Sequence, residues 1–208
     1  MRRCIARVMS AALLLLLAAS CSSILPKPAP PPALYHLAPL PEAPQAHAGI
    51  DAQLLVDVPA APAALDTARI AVSRSTYALD YLANAAWTDR APLMVQSLIV
   101  ESLENAGAIR VVARQSPELR ADAVLVVDLR RFEAEYQGAG PPEMHVQLDC
   151  RLVRMPDRIV LAVKSFDGTA RATANDTPAI VAGFNDAFQA TMRQLAPWAA
   201  DSLTTMKR

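Results

Sequence analysis

One segment limits the folds open to this chain more than any other: Tyr77 to Gly107, YALDYLANAAWTDRAPLMVQSLIVESLENAG. Its first third is rich in Tyr, Leu and Trp and reads as two short strands forming a hairpin that ends at Trp87. The remainder reads as one amphipathic helix. Thr88 or Asp89 supplies its N-terminal cap, and Pro92 sits in the first turn, where a missing N–H is tolerated. Gly107 can take the left-handed conformation that closes a helix without steric cost. At 100° per residue Val95, Leu98, Ile99, Leu103 and Ala106 share one face, with Ser102 among them, and Ser97, Glu101 and Glu104 lie opposite. A helix with one apolar stripe, directly after strands, packs on a sheet.

The start of the chain carries a different pattern. Arg2, Arg3 and Arg7 precede an apolar run from Met9 to Ala19, too short to span a bilayer core of ~30 Å as a helix. This is the arrangement of a secretory signal peptide, residues 1–20. Its end, Leu17-Ala18-Ala19-Ser20-Cys21, resembles a bacterial lipobox, with Ala18 where Leu is usual and the Leu one residue earlier. The resemblance implies cleavage before Cys21 and acyl chains on that residue; the other reading is ordinary signal-peptidase cleavage near a chance Cys. Several acyl chains, at ~0.8 kcal/mol per buried CH₂, make a stable anchor. Ser22 rather than Asp follows the Cys, which by the same resemblance favours the outer membrane over the inner. Residues 21–33, containing LPKPAPPP, then form a Pro-rich tether that reaches up to roughly 35 Å as polyproline II. The folded domain is expected over residues 34–200, with 201–208 a loose tail.

Charge argues about partners. Lys+Arg 20 match Asp+Glu 20, and loss of the leader's three arginines leaves the chain slightly acidic. With no basic stripe to displace counterions, nucleic acid is not the expected partner. Cys4 leaves with the leader and Cys21 takes the lipid, so Cys150 is the one remaining thiol and no internal disulfide is expected. It falls on the apolar side of its strand, where core Cys is the plain reading and a reactive thiol the sharper one.

The domain begins with short strands at 34–37 and 53–58, then a turn and a strand within 65–72. Ile109 to Ala113 follows the helix as another strand. Ala123 to Tyr136 is the longest, and its apolar parity switches between Leu129 and Phe132, which calls for a bulge near Arg130–Arg131. Met144, Val146, Leu148, Cys150 and Leu152 alternate with His145, Gln147, Asp149 and Arg151, the pattern of a sheet with one wet face. A turn at 155–158 leads into a strand from Ile159 to Phe166 or on to Ala172, completing an antiparallel meander. Thr177 caps a second helix opened by Pro178, with Ile180, Val181, Phe184, Phe188, Thr191 and Leu195 on one face and Pro197 at its end. The expected fold is α+β: a two-layer sandwich with a mixed, mostly antiparallel sheet and two helices on one face.

Chemistry-bearing motifs are sparse. His36, His47 and His145 show no metal-ligand spacing, no Gly-rich phosphate loop occurs, and no Gly-x-Ser-x-Gly elbow is present. No metal, cofactor or catalytic residue is therefore assigned. The aromatic cluster Tyr77, Tyr81 and Trp87 has two readings: core beneath the first helix, or an exposed patch that meets a partner.

Taken together, the lipobox, LLVDVPAAPAALDTARIAV, the Tyr77–Gly107 segment and ADAVLVVDLRRFEAEYQG resemble the ABC-type transport auxiliary lipoproteins. That resemblance covers most of Leu34 to Trp198 and is most specific over Leu65–Val72 and Asp80–Gly107. It implies a non-enzymatic outer-membrane lipoprotein facing the periplasm, working with an MCE-domain protein, an ABC permease and its ATPase in lipid transport between membranes. It also admits a ring-like homo-oligomer. The alternative weighed against it is an outer-membrane lipoprotein that regulates a periplasmic cell-wall synthase, although a tether of about a dozen residues is short for crossing the peptidoglycan. A lipid hydrolase would need a nucleophile and base that the sequence does not place.

Overall fold

A computed structural model describes residues 30–42, 49–75 and 77–206, without the side chain of Met206. The expected signal peptide, Cys21 and most of the expected tether lie outside them. The domain from Pro32 onward is one compact unit. Its elements are β1 (Ala33–Tyr35), β2 (Ile50–Val56), β3 (Arg69–Ser75), β4 (Ala78–Trp87), α1 (Ala91–Ala106), β5 (Ile109–Arg114), β6 (Ala123–Glu135), β7 (Glu143–Arg154), β8 (Ile159–Arg171) and α2 (Thr177–Met206).

β6 is the axis of the eight-stranded sheet. Along one edge it pairs with β7 over its whole length, and β7 with β8, making the expected antiparallel meander. Its other edge is shared. β2 runs parallel to Ala123–Leu125 and β3 parallel to Glu133–Glu135, with Ala60 bridging to Asp128 between them. β5 extends β2, and β4 then β1 extend β3, so the sheet is mixed, with its longest pairings antiparallel. The bulge expected near Arg130–Arg131 is present as a register shift between Leu129 and Arg131.

Both helices cover one face, and the residues of their apolar stripes are buried with the inward residues of β6 and β7 in a single core. This is the two-layer α+β fold. Trp87, Phe132 and Phe184 form its aromatic centre, with ring centroids 5.1–5.5 Å apart. The segment after β1 crosses the helical layer: Ala38 N–H donates to Asn185 Oδ1 at 2.9 Å, and Leu40 N–H to Ser102 Oγ at 3.0 Å. Buried Ser102 thereby finds its partner.

Four local expectations are corrected. The Tyr77–Trp87 segment is not a hairpin but one strand, β4, whose hairpin partner is β3. Asn84, at φ 56°, lies in an excursion of β4 between its pairings at Tyr81 and Ala86, which imitates a turn in sequence. α1 is capped by Arg90 rather than Thr88 or Asp89, with no side-chain cap. Its first amide is met instead by the Thr67 carbonyl at 3.0 Å, beside an Asp66–Arg90 ion pair. Asp176, not Thr177, caps α2, accepting from Ala179 N–H at 2.9 Å. Finally, α2 passes through Pro197 and continues to Met206, with Ala199 and Leu203 fully buried, so residues 201–206 are helical rather than a loose tail. Packing of that last stretch outweighs the hydrogen bond that Pro197 cannot make. Gly107 closes α1 as expected, at φ 65°.

Candidate functional site

The face of β6–β7–β8 turned away from the helices is the wet face of the meander, and its side chains form an ordered charge array. The bulge drives this. One extra residue on β6 lets the consecutive Arg130 and Arg131 serve two neighbouring clusters on the same face.

In the first cluster Asp149 stands opposite Asp128 and Ser165. Two aspartates side by side repel unless cations intervene. Here Arg130 Nε donates to Asp149 Oδ2 at 2.8 Å and Arg151 donates to Asp128 Oδ2 at 3.0 Å. Ser165 Oγ donates to Asp149 Oδ1 at 2.6 Å. That hydroxyl is the largest cause holding the Asp149 carboxyl below the usual carboxylate range; burial opposes it, and the bond and charge of Arg130 and the charge of Arg151 reinforce it.

In the second, Arg131 reaches three partners: Glu133 Oε1 at 3.0 Å, Glu135 Oε2 at 2.9 Å and His145 Nδ1 at 3.2 Å. Burial acts to lower the pKa of its guanidinium, but the bonds to Glu133 and Glu135 prevail and raise it. Because a guanidinium only donates, Nδ1 is the acceptor and the neutral imidazole carries its proton on Nε2. Nε2 lies 3.2 Å from Glu135 Oε2, in ion-pair range but without hydrogen-bond alignment. The lone pair a metal would need is thus engaged by Arg131. Among the described residues no group of three or more His, Cys, Asp or Glu is arranged to hold a metal ion.

Toward the start of β6 the array gives way to apolar residues, Val153 standing opposite Val124 and Val160, with exposed Val163 opposite Arg151. A hollow of about 180 Å³ lies here, lined by Asp57, Gln115, Val126 and Arg158 among others. It falls below the ~300–1,000 Å³ usual for a small-molecule site. Flat, charged and rigid on a sheet, the face suits a protein surface better than an enclosed ligand.

The three aromatics read from sequence do not form one patch. Trp87 is 1% exposed at the centre of the core, which removes it from partner contact. Tyr81 is half-buried, its hydroxyl donating to the Ala64 carbonyl at 3.0 Å and its ring beneath Arg69 at 3.7 Å. Tyr77 alone is free, 99% exposed at the head of the β3–β4 hairpin. Cys21 lies outside the described residues. Cys150 is fully buried, and burial pushes its thiol up to about 12, so it sits in the core as an unreactive group.

The charge array was not assigned from sequence. His145, Gln147, Asp149 and Arg151 were legible as the wet side of a strand, but their partners depend on the register beyond the bulge.

This two-layer fold, with its patterned outer sheet face, belongs to a recognisable class. Residues 35–196 match the family of ABC-type transport auxiliary lipoprotein components, and the chain belongs to that family. It is similar to protein XCC0632 from Xanthomonas campestris, of the family DUF330, whose crystal structure shares 28% identity at a TM-score of 0.77, covering 84% of this chain and 98% of that one. A second crystal structure, of an uncharacterised protein, shares the fold at 16% identity and a TM-score of 0.66, covering 82% and 99%. The uncharacterised protein bll6063 of Bradyrhizobium diazoefficiens is 28% identical over 152 residues. Those residues are 72% of this chain but only 40% of that relative's length.

Proposed function

We propose that this protein is a non-enzymatic docking component of an ABC-transporter-linked lipid transport system, held at the periplasmic face of the outer membrane by acyl chains on Cys21. Its partners on this reading are an MCE-domain protein together with the permease and ATPase. The observation that carries the reading is the outer face of β6–β7–β8, where Arg130, Arg131 and Arg151 are fixed among carboxylates on a rigid sheet. Charges held in place in advance select a partner of complementary pattern and set the register of docking. Family membership supplies the transport context, and the lipobox supplies the anchor.

A photo-crosslinking residue placed at Gln147 or Ser165 in the full chain, in intact cells, tests this. After mild solubilisation, mass spectrometry of crosslinked species is expected to recover an MCE-domain protein with its permease. Recovery of a cell-wall synthase with no transporter component would overturn the reading.

A further inference from the structure

The direction of β1 shows from which end of the sheet the chain enters the domain. β4 runs away from the hairpin head, where Ser75 pairs with Ala78, and β1 lies parallel to β4 with Leu34 opposite Ala86. The chain therefore enters β1 from the side of the hairpin head. Arg69 is paired with the same Ala86, so the head lies the length of β3 beyond the tether's attachment. The six steps of strand from Arg69 to Ser75 make about 20 Å.

That length can be set against the tether. The dozen or so residues from Cys21 to Ala33 span about 37 Å as stretched polyproline II, and roughly 19 Å on average as a flexible chain. The head thus reaches over half of the taut tether and the whole of a relaxed one. By length alone, a membrane anchored at Cys21 is no farther than the head can extend.

The head is built for such a contact. Tyr77 is 99% exposed and Leu79 38% exposed, both large and apolar in body. Tyrosine is enriched at the membrane–water interface, where its ring sits among acyl carbons and its hydroxyl stays wet. On the same hairpin Arg74 and Asp80 are exposed with opposite charges, so attraction to anionic lipid is not required.

We propose that Tyr77 and Leu79 form a foot resting in the headgroup region of the anchoring membrane, steadying the domain so that the charged sheet face stands across from its partner. This rests on the Cys21 anchor proposed above. Full-length acylated protein in phosphatidylethanolamine–phosphatidylglycerol vesicles tests it. An environment-sensitive fluorophore is attached at Tyr77→Cys or, as the control at the opposite end of the sheet, at Leu119→Cys; buried Cys150 stays unlabelled. Spin-labelled lipid is expected to quench the probe at 77 several-fold more strongly than that at 119. Equal quenching in protein that floats with the vesicles overturns the foot and leaves the anchor standing. Failure to float, or no acyl mass on Cys21, overturns the anchor and the foot with it.

Discussion

Trp87 meets Phe184 edge to face, with centroids 5.3 Å apart and planes at 89°, locking the strand that leads into α1 against α2. The indole fills the junction of both helices with the sheet, and its Nε1 has no hydrogen-bond partner among the described residues. Trp87→Ala is expected to cost about 3–5 kcal/mol, as for large aromatic truncations in cores. Trp87→Phe should cost a fraction of that, because no hydrogen bond is lost. Urea unfolding followed by circular dichroism measures both; a Trp87→Ala protein as stable as the parent would contradict the core assignment.

Gly168 of β8 and Gly183 of α2 make a second pair of expectations with different outcomes. A Cβ at Gly168 would run into the Ala187 carbonyl and Thr191 Oγ1, both fixed because that hydroxyl donates to the Ala187 and Val146 carbonyls. Gly168→Ala should destabilise by roughly 1–3 kcal/mol through overpacking. A Cβ at Gly183 would meet only the tip of the Met144 side chain, a flexible thioether that can turn aside. Gly183→Ala should be near neutral or stabilising, since Ala favours a helix over Gly by ~0.5–1 kcal/mol. Thermal midpoints of the two variants should move in different directions, or at least by very different amounts.

These glycines show where sequence reading succeeds and where it stops. The stripes of α1 and α2, the alternation of β7 and the bulge of β6 are local periodicities, and each is present as expected. The failures are tertiary. Asn84 and its neighbours resemble a turn, whereas β3 holds β4 as one strand around an excursion. A backbone carbonyl from Thr67 replaces the expected side-chain cap of α1. No pattern within β2 or β3 tells that both share one edge of β6. The candidate site has the same character: Asp149 and Arg151 are visibly on the wet face, but Arg131 joins Arg130 on that face only because the bulge shifts the parity of β6 between Leu129 and Arg131.

Cys150 should resist modification. With its thiol pushed up to about 12 by burial first and by Asp149 and Asp128 next, the folded protein holds almost no thiolate at pH 8. A thiol reagent such as DTNB should label it only after denaturant is added. Below the ordinary thiol value of 9.0 both the folded and the unfolded state keep the proton and stability is unaffected. Above it the unfolded chain loses its proton first, so the contribution of Cys150 falls from pH 9 toward 12. Rapid labelling of native protein would mean the core opens near β7.

Asp149 gives the acid-side counterpart. Its lowered pKa means the carboxylate form is favoured in the folded state, a contribution present above the ordinary value of 3.8 and lost as pH falls below it. Removing the largest cause, Ser165→Ala, should bring its titration back toward the ordinary value. NMR titration of the Asp149 carboxyl carbon reads this directly. No upward movement would show that the arginines Arg130 and Arg151, not the hydroxyl, set the charge state of this part of the array.

Pro197 lies exposed inside α2, where it removes the bond that residue 197 would donate to the Arg193 carbonyl. Beyond it, Trp198 meets Phe166 edge to face at 5.2 Å between centroids and Leu203 is fully buried, so tertiary contacts hold the final turns in helix. Pro197→Ala restores the missing donor at a surface position and should raise stability, by at most the ~3 kcal/mol that separates Pro from Ala in a helix interior. If urea unfolding instead shows a loss, the proline is setting a bend that seats Trp198 on β8. Trp198→Ala in each background then separates the two cases: its cost is expected to be the same with Pro or Ala at 197 if the proline is only tolerated, and smaller with Ala if the bend aims the indole.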